Sequence, residues 1–191
     1  MKLEEAIRKR RSVRKYKAAR LTVQTVRELL ELAACAPSAS NGQPWVFVVV
    51  EDRDYLQSLS DRAKTFWLEY MQDAPAMKRY RKVLSSPEFN VFYNAPVLVL
   101  IYGDSNVRTF ICDCSLAAQN LMLAAWDRGI GSCWIGFADH IANTPEVKAE
   151  LKVPEKYELV APIILGYPDG ACERRGVRKE VQVINWKYPH R

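Results

Sequence analysis

Apolar and polar positions change period several times along the chain, and each change marks an element. Leu3, Ala6 and Ile7 share one face of a first helix that ends near Arg10 and Arg11. A second helix opens at Thr22. Val26, Leu29, Leu30, Leu32 and Ala33 give it a wide apolar stripe, and Pro37 stops it. Trp45 to Val50 is almost wholly apolar and β-branched, the composition of a strand buried on both faces. From Asp54 to about Leu84 the helical period is weak, crowded with Tyr, Trp, Met and basic residues and broken at Asp73-Ala74-Pro75, which predicts a mobile helical excursion. Ala95 to Tyr102 is a second buried strand.

Phe110 to Arg128 carries the strongest helical signal, rich in Ala, Leu and Met on every side, so it must be enclosed by a sheet and other helices or by a partner subunit. The turn Arg128-Gly129-Ile130-Gly131 closes it. Ser132 to Gly136 reads as a brief strand and loop, and Thr144-Pro145-Glu146-Val147 has the cap, early proline and acidic first turn of another helix. Tyr157 to Gly166 is a third apolar strand. Val181 to Trp186 alternates like a strand but has no hairpin partner in its own sequence. No glycine-rich phosphate motif follows the first strand, which argues against a dinucleotide-binding fold.

With 191 residues and 49% hydrophobic content, the pattern fits one well-buried core and a single domain, 1–191. No apolar run approaches the roughly 20 residues that span a bilayer, and the first residues, with Glu4 and Glu5, do not resemble a secretory signal. The expectation is a soluble, cytoplasmic protein. Cys35, Cys112, Cys114, Cys133 and Cys172 are odd in number and scattered, which reads as reduced thiols. Cys112 and Cys114 would point to different faces of a helix and read as buried small hydrophobes rather than a metal pair. The two histidines are His140, read as a surface residue, and His190, so a histidine metal centre and Ser-His or Cys-His hydrolysis are poorly supported.

The net charge of +6 gathers at Arg8 to Arg20, at Lys78 to Lys82, and at Arg174, Arg175, Arg178 and Lys179. Discrete clusters suit an anionic cofactor at least as well as a duplex. Arg10, Ser12 and Arg14 lie two apart, so an extended backbone would line them along one face, with a hydroxyl between two guanidiniums that suits phosphate oxygens. Ala36-Pro37-Ser38-Ala39-Ser40-Asn41-Gly42-Gln43-Pro44-Trp45 is a turn-rich loop offering amide and backbone donors that could read a heterocycle edge.

In wording and order these two strings resemble the opening motifs of the FMN-dependent nitroreductase family. The resemblance implies an α+β, nitroreductase-like fold: a central mixed, mainly antiparallel sheet covered by helices, in a homodimer with two FMN sites at its interface. By it, Arg10 and Ser12 would hold the phosphate, Arg11 would lie along the ribityl chain, and Arg14 would approach the N1/O2 edge of the flavin and stabilise its reduced form. Pro37, Ser38, Ser40 and Asn41 would meet the flavin from the opposite subunit, with Gln43 structural and Ala39 standing where many relatives have a serine. Ile135 and Gly136 would lie beneath the ring near N5. Arg174 or Arg175 would supply a second phosphate cation, although Gly176-Val177-Arg178-Lys179-Glu180-Val181 departs from the Lys-Pro-Leu-Glu-Glu-Val common in relatives.

The activity implied is transfer of hydride from NADH or NADPH, then to a small-molecule acceptor such as a nitroaromatic or quinone, in two half-reactions at the flavin, with no catalytic side-chain dyad and no metal. Phe66, Trp67, Tyr70 and Met71 are the candidate substrate wall. Reductive dehalogenation or flavin breakdown on the same fold stays open. So does, from another class, a basic nucleic-acid-binding module, against which no helix-turn-helix, zinc-finger or aromatic RNA-binding string occurs; the reading taken involves neither nucleic acid nor membrane.

Overall fold

A computed structural model describes residues 2–71, 75–170 and 177–187. Four strands form the sheet: β1 (Trp45–Val50), β2 (Val97–Asp104), β3 (Gly131–Trp134) and β4 (Tyr157–Gly166), in the order β1-β2-β4-β3. All three strand pairs are antiparallel. Among the described residues the parallel component of the expected mixed sheet is an isolated bridge between Ser12 and Ser132.

β2 and β4 are central, and the alternation along β2 divides the core in two. Leu98, Leu100 and Tyr102 face a cluster with Leu56, Leu59 and Ala63, whereas Val97, Val99 and Ile101 face one with Leu29, Ala33, Ala118 and Leu121. The first cluster lies under α3 (Arg53–Tyr70), α4 (Arg81–Leu84) and α6 (Pro145–Glu150); the second lies under α2 (Val23–Ala34) and α5 (Phe110–Asp127). α1 (Leu3–Lys9) packs against α5.

Local chemistry sets the ends of these helices. Thr22 accepts the Thr25 N–H, Asp52 accepts from Asp54 and Tyr55, and Thr144 accepts from Val147 with Pro145 in the first turn. Gly129, at φ 71°, turns the chain out of α5 in a conformation that glycine adopts without strain. α5 is largely enclosed, as its composition requires, but Ile111 and Leu116 remain exposed.

Four expectations change. β1 is not buried on both faces: as an edge strand it has partly exposed Val46, Phe47 and Val48 and an exposed Val49. The stretch read as a weak helical excursion holds an 18-residue helix, α3, whose buried Leu56, Leu59, Ser60 and Ala63 recur at helical spacing within an otherwise polar sequence. Asp73 and Ala74, where a break was expected, lie outside the described residues; a 3₁₀ turn follows at Pro75–Tyr80. Residues 181–186 form no strand, and Val181, Val183, Ile184 and Trp186 are exposed. Finally, Cys112 is exposed while Cys114 is buried, so that pair does point apart but only one thiol packs in the core.

No helix among the described residues is long and apolar enough to cross a membrane. One buried polar contact ties the sheet to the loops beneath it: the Tyr102 hydroxyl, wholly buried, donates to the Ala142 carbonyl at 2.8 Å. Tyr102→Phe should therefore lower unfolding stability by about 1 kcal/mol, the net worth of a buried neutral hydrogen bond, with an unchanged denaturant slope in urea titration.

Candidate cofactor site

Beyond α1 the chain runs extended along the sheet edge. The Val13 N–H donates to the Ser132 carbonyl at 2.9 Å, Lys17 N–H to the Tyr167 carbonyl and Asp169 N–H to the Lys15 carbonyl. Val13 is buried, while Ser12 and Arg14 on either side of it are exposed. The close approach depends on Gly131, where a Cβ would stand 2.7 Å from Val13 Cγ2. The period-two reading of Arg10, Ser12 and Arg14 thus has a physical counterpart in an extended segment docked on β3.

Cys133, one residue along β3, is the meeting point of that segment. Burial pushes its thiol up, while Arg14, a hydrogen bond from Ser12, and Arg10 pull the other way. Arg10 is half-buried, and its guanidinium is depressed first by burial, then by the charges of Arg178 and Arg11. Like charges gathered with no acid paired to them among the described residues call for an anion. Among the described residues neither Arg10 nor Arg14 takes part in an ion pair with a carboxylate. Arg11 turns back, its Nη1 donating to the Arg8 and Arg10 carbonyls at the end of α1.

Arg14 also opens onto a cavity of about 410 Å³, shared with Trp67, Arg79, Tyr80, Val91, Tyr93 and the run Cys133 to Phe137. Its guanidinium stands 5.8 Å from the Tyr93 ring centre. Burial raises the Tyr93 phenol, and Arg14 opposes that shift. The Ile135 N–H is committed to the Pro162 carbonyl at 2.9 Å, whereas the Gly136 N–H finds no acceptor among the described residues.

Of the four candidate wall residues, Trp67 lines this cavity and donates from Nε1 to the Phe137 carbonyl at 2.8 Å. Phe66 stacks on the exposed His140 with ring centres 3.5 Å apart, Tyr70 is half exposed, and Met71 is fully buried in the core, out of reach of any ligand. Cavity residues that sequence reasoning missed include Arg79, Tyr80, Tyr93 and Phe137. For Tyr93 a signal existed: Tyr93-Asn94 precedes a proline-headed strand, and both residues adopt positive φ, at 54° and 53°.

The amide-rich loop lies elsewhere. None of Pro37, Ser38, Ser40 and Asn41 lines the cavity, and the loop leads into β1, three strand spacings or about 14 Å across the sheet from β3. Ser40, Asn41 and Gln43 all have positive φ, at 51°, 54° and 44°, each costing on the order of 1 kcal/mol. Side chains hold this conformation. Gln43 Nε2 donates to Asn41 Oδ1 at 3.0 Å, Ser38 Oγ accepts the Gln43 N–H at 3.0 Å, and buried Asp113 accepts the Ala39 N–H on Oδ1 and the Thr109 hydroxyl on Oδ2. Asp113 was also missed, since a lone acid in the first turn of an apolar helix carries no loop signature. Arg174 and Arg175 lie outside the described residues; the tail cation that the structure brings to Arg10 is Arg178.

Residues 7–167 match the model of the nitroreductase family. The chain belongs to that family. It is 30% identical to a nitroreductase of Mycolicibacterium smegmatis over 205 aligned residues, covering 92% of this chain and 86% of the relative. Its fold matches the crystal structure of a nitroreductase with bound FMN from Bacteroides fragilis, with a TM-score of 0.83, 29% identity, and coverage of 97% of this chain and 100% of that one. It is also 26% identical to an iodotyrosine deiodinase of Thermotoga neapolitana, over 87% of this chain and 89% of the relative. No group of three or more His, Cys, Asp and Glu side chains among the described residues is arranged to hold a metal ion.

One titrating group sits beside the site. Asp139 follows the Gly136–Ala138 turn, and its Oδ2 lies 3.8 Å from where a Gly136 Cβ would be. Desolvation raises its carboxyl from 3.8 to about 6. The folded chain therefore keeps a proton that the unfolded chain releases, so stability falls as pH rises between those two values. Because the residue as a whole is exposed, solvent screening keeps the effect small. Asp139→Asn should raise Tm at about pH 7.5 and lose that advantage as the pH falls below the unfolded carboxyl's value, read by thermal melts across pH.

Proposed function

We propose that this family member binds FMN between two copies of the chain and passes hydride from NADH or NADPH to a conjugated small-molecule acceptor, a nitroaromatic or quinone. The observation that carries the reading is the cluster of Arg10, Arg11 and Arg178 beside Ser12, with no ion-paired acid among the described residues, continuous through Arg14 with an aromatic-walled cavity. The residues fit the cofactor. An FMN phosphate would offset the clustered charge, Arg14 would face the N1/O2 edge, and the free Gly136 N–H would serve the ring near N5. When bound, FMN supplies the hydride-accepting and hydride-donating chemistry.

The chain's own task is to hold, orient and shield. Arg10 and Arg178 would neutralise the anion, Ser12 would hydrogen-bond it, Arg14 would set a cation where reduction places negative charge, and Trp67, Tyr80 and Phe137 would exclude water from one wall. No side-chain acid is required to move the hydride. The similarity to the iodotyrosine deiodinase supports a second reading, reductive removal of halogen from a halogenated phenol, in the same cavity.

A homodimer would account for the division of the site. Pro37, Ser38, Ser40 and Asn41 lie at the opposite sheet edge from Gly136, so they would serve a partner's flavin rather than their own. An open groove of about 490 Å³, lined by Val23, Val26, Arg27, Leu30, Val49 and Glu51, runs beside the free edge of β1. The alternating 181–185 segment of a second copy is its occupant in this reading.

With FMN-loaded protein under anaerobic conditions, one equivalent of NADH or NADPH should bleach the flavin bands, and a nitroaromatic or quinone should restore them. Bleaching without recovery by any of these acceptors, but with recovery by a halogenated phenol, would select the deiodinase-like reading. Truncation after Gly170 should give a monomer or insoluble protein by size-exclusion chromatography; a stable, flavin-loaded dimer would count against tail exchange.

A further inference from the structure

Arg14 and Arg79 are the charged residues among those lining the cavity, and they stand on different walls. Arg14 belongs to the docked segment and the proposed flavin side. Arg79 comes from the Pro75–Tyr80 turn, an element that carries none of the cofactor candidates. No ion pair among the described residues includes Arg79.

Its setting is stiffer than that of an ordinary surface arginine. The guanidinium lies over the Tyr80 ring, 4.7 Å from its centre; Tyr80 stands edge-on to Phe137 at 5.4 Å, and Phe137 edge-on to Trp67 at 5.8 Å. Trp67 is then tied back to the Phe137 backbone. A cation held against aromatic faces loses less freedom when it pairs, and its planar fork matches a carboxylate bidentately.

Resting on the reductase reading above, we propose that Arg79 determines which acceptor the cavity prefers, by receiving an anionic group on the far end of a planar conjugated substrate whose ring lies among Trp67, Tyr80 and Phe137. The favoured class is an aromatic carboxylate carrying the reducible group on the opposite side of its ring. Both demands are met by one short molecule: apolar walls take the ring, and the guanidinium, in no ion pair among the described residues, takes the charge. The same cation could instead attract a phosphate of the nicotinamide donor, which shares its chemistry, so donor and acceptor must be measured separately. Because Arg79 is exposed, the effect should be roughly tenfold rather than absolute.

The test compares 4-nitrobenzoate with its neutral counterpart 4-nitrobenzamide, using FMN-loaded wild type, Arg79→Gln and Arg79→Lys. Two readouts are taken: the dissociation constant of each compound from oxidised protein, by quenching of tryptophan fluorescence, and KM in steady-state reduction. Arg79→Gln should weaken 4-nitrobenzoate roughly tenfold in both, leave 4-nitrobenzamide within about twofold, and leave the KM for NADH and NADPH unchanged, with Arg79→Lys recovering part of the loss. Equal weakening of both nitro compounds, weakening of neither, or a rise confined to the donor KM would each overturn the assignment. Failure of the wild type to reduce even the neutral amide would refute the reductase reading instead, and the binding constants would still report on Arg79.

Discussion

Docking of the Ser12 to Tyr16 segment against β3 and β4 is the constraint on which the rest of the site depends. Backbone bonds from Val13 to Ser132 and from Asp169 to Lys15, with Gly131 leaving room for the valine, fix the alternation that sends Val13 inward and Ser12 and Arg14 outward. Once this register is set, Arg10 is half-buried, Ser12 reaches Cys133, and Arg14 overlooks the cavity. A shift by one residue would exchange those faces and bury charge in the core.

The arrangement costs the chain some stability of its own. Guanidiniums repel one another near Arg10, and three non-glycine residues hold positive φ in the 37–43 loop. An anion bound as proposed would reverse the first of these costs, so the fold should be more stable with it than without it. The second is supported from within the chain, where Asp113 and the Ser38, Asn41 and Gln43 side chains satisfy the loop. Strain at an exposed polar loop with so much internal support suits a preorganised binding surface, and in the proposed dimer its distance from β3 would place it at the partner's site.

The central elements were legible because their burial is uniform. β4 coincides with the apolar run Tyr157 to Gly166, being central and covered on both faces, and the helix from Phe110 needed no adjustment at its start. Edges were harder to read. The β-branched run of β1 looks the same in sequence whether its faces are covered or open, and only the strand order reveals that it is an edge. α3 was underrated because a single narrow stripe suffices to bury it, and polar residues fill the rest of its surface. The arginine and amide strings were visible as motifs, but Tyr93 meets Arg14 and Asp113 meets Ala39 across long sequence separations, and only the folded chain brings Arg79 to the cavity wall, which no local pattern encodes.

If the clustered arginines cradle a flavin phosphate, the visible absorbance spectrum of the purified protein will show the bands of oxidised flavin, and heat will release a chromophore identified as FMN in the supernatant. A colourless protein that also fails to take up added FMN would contradict it.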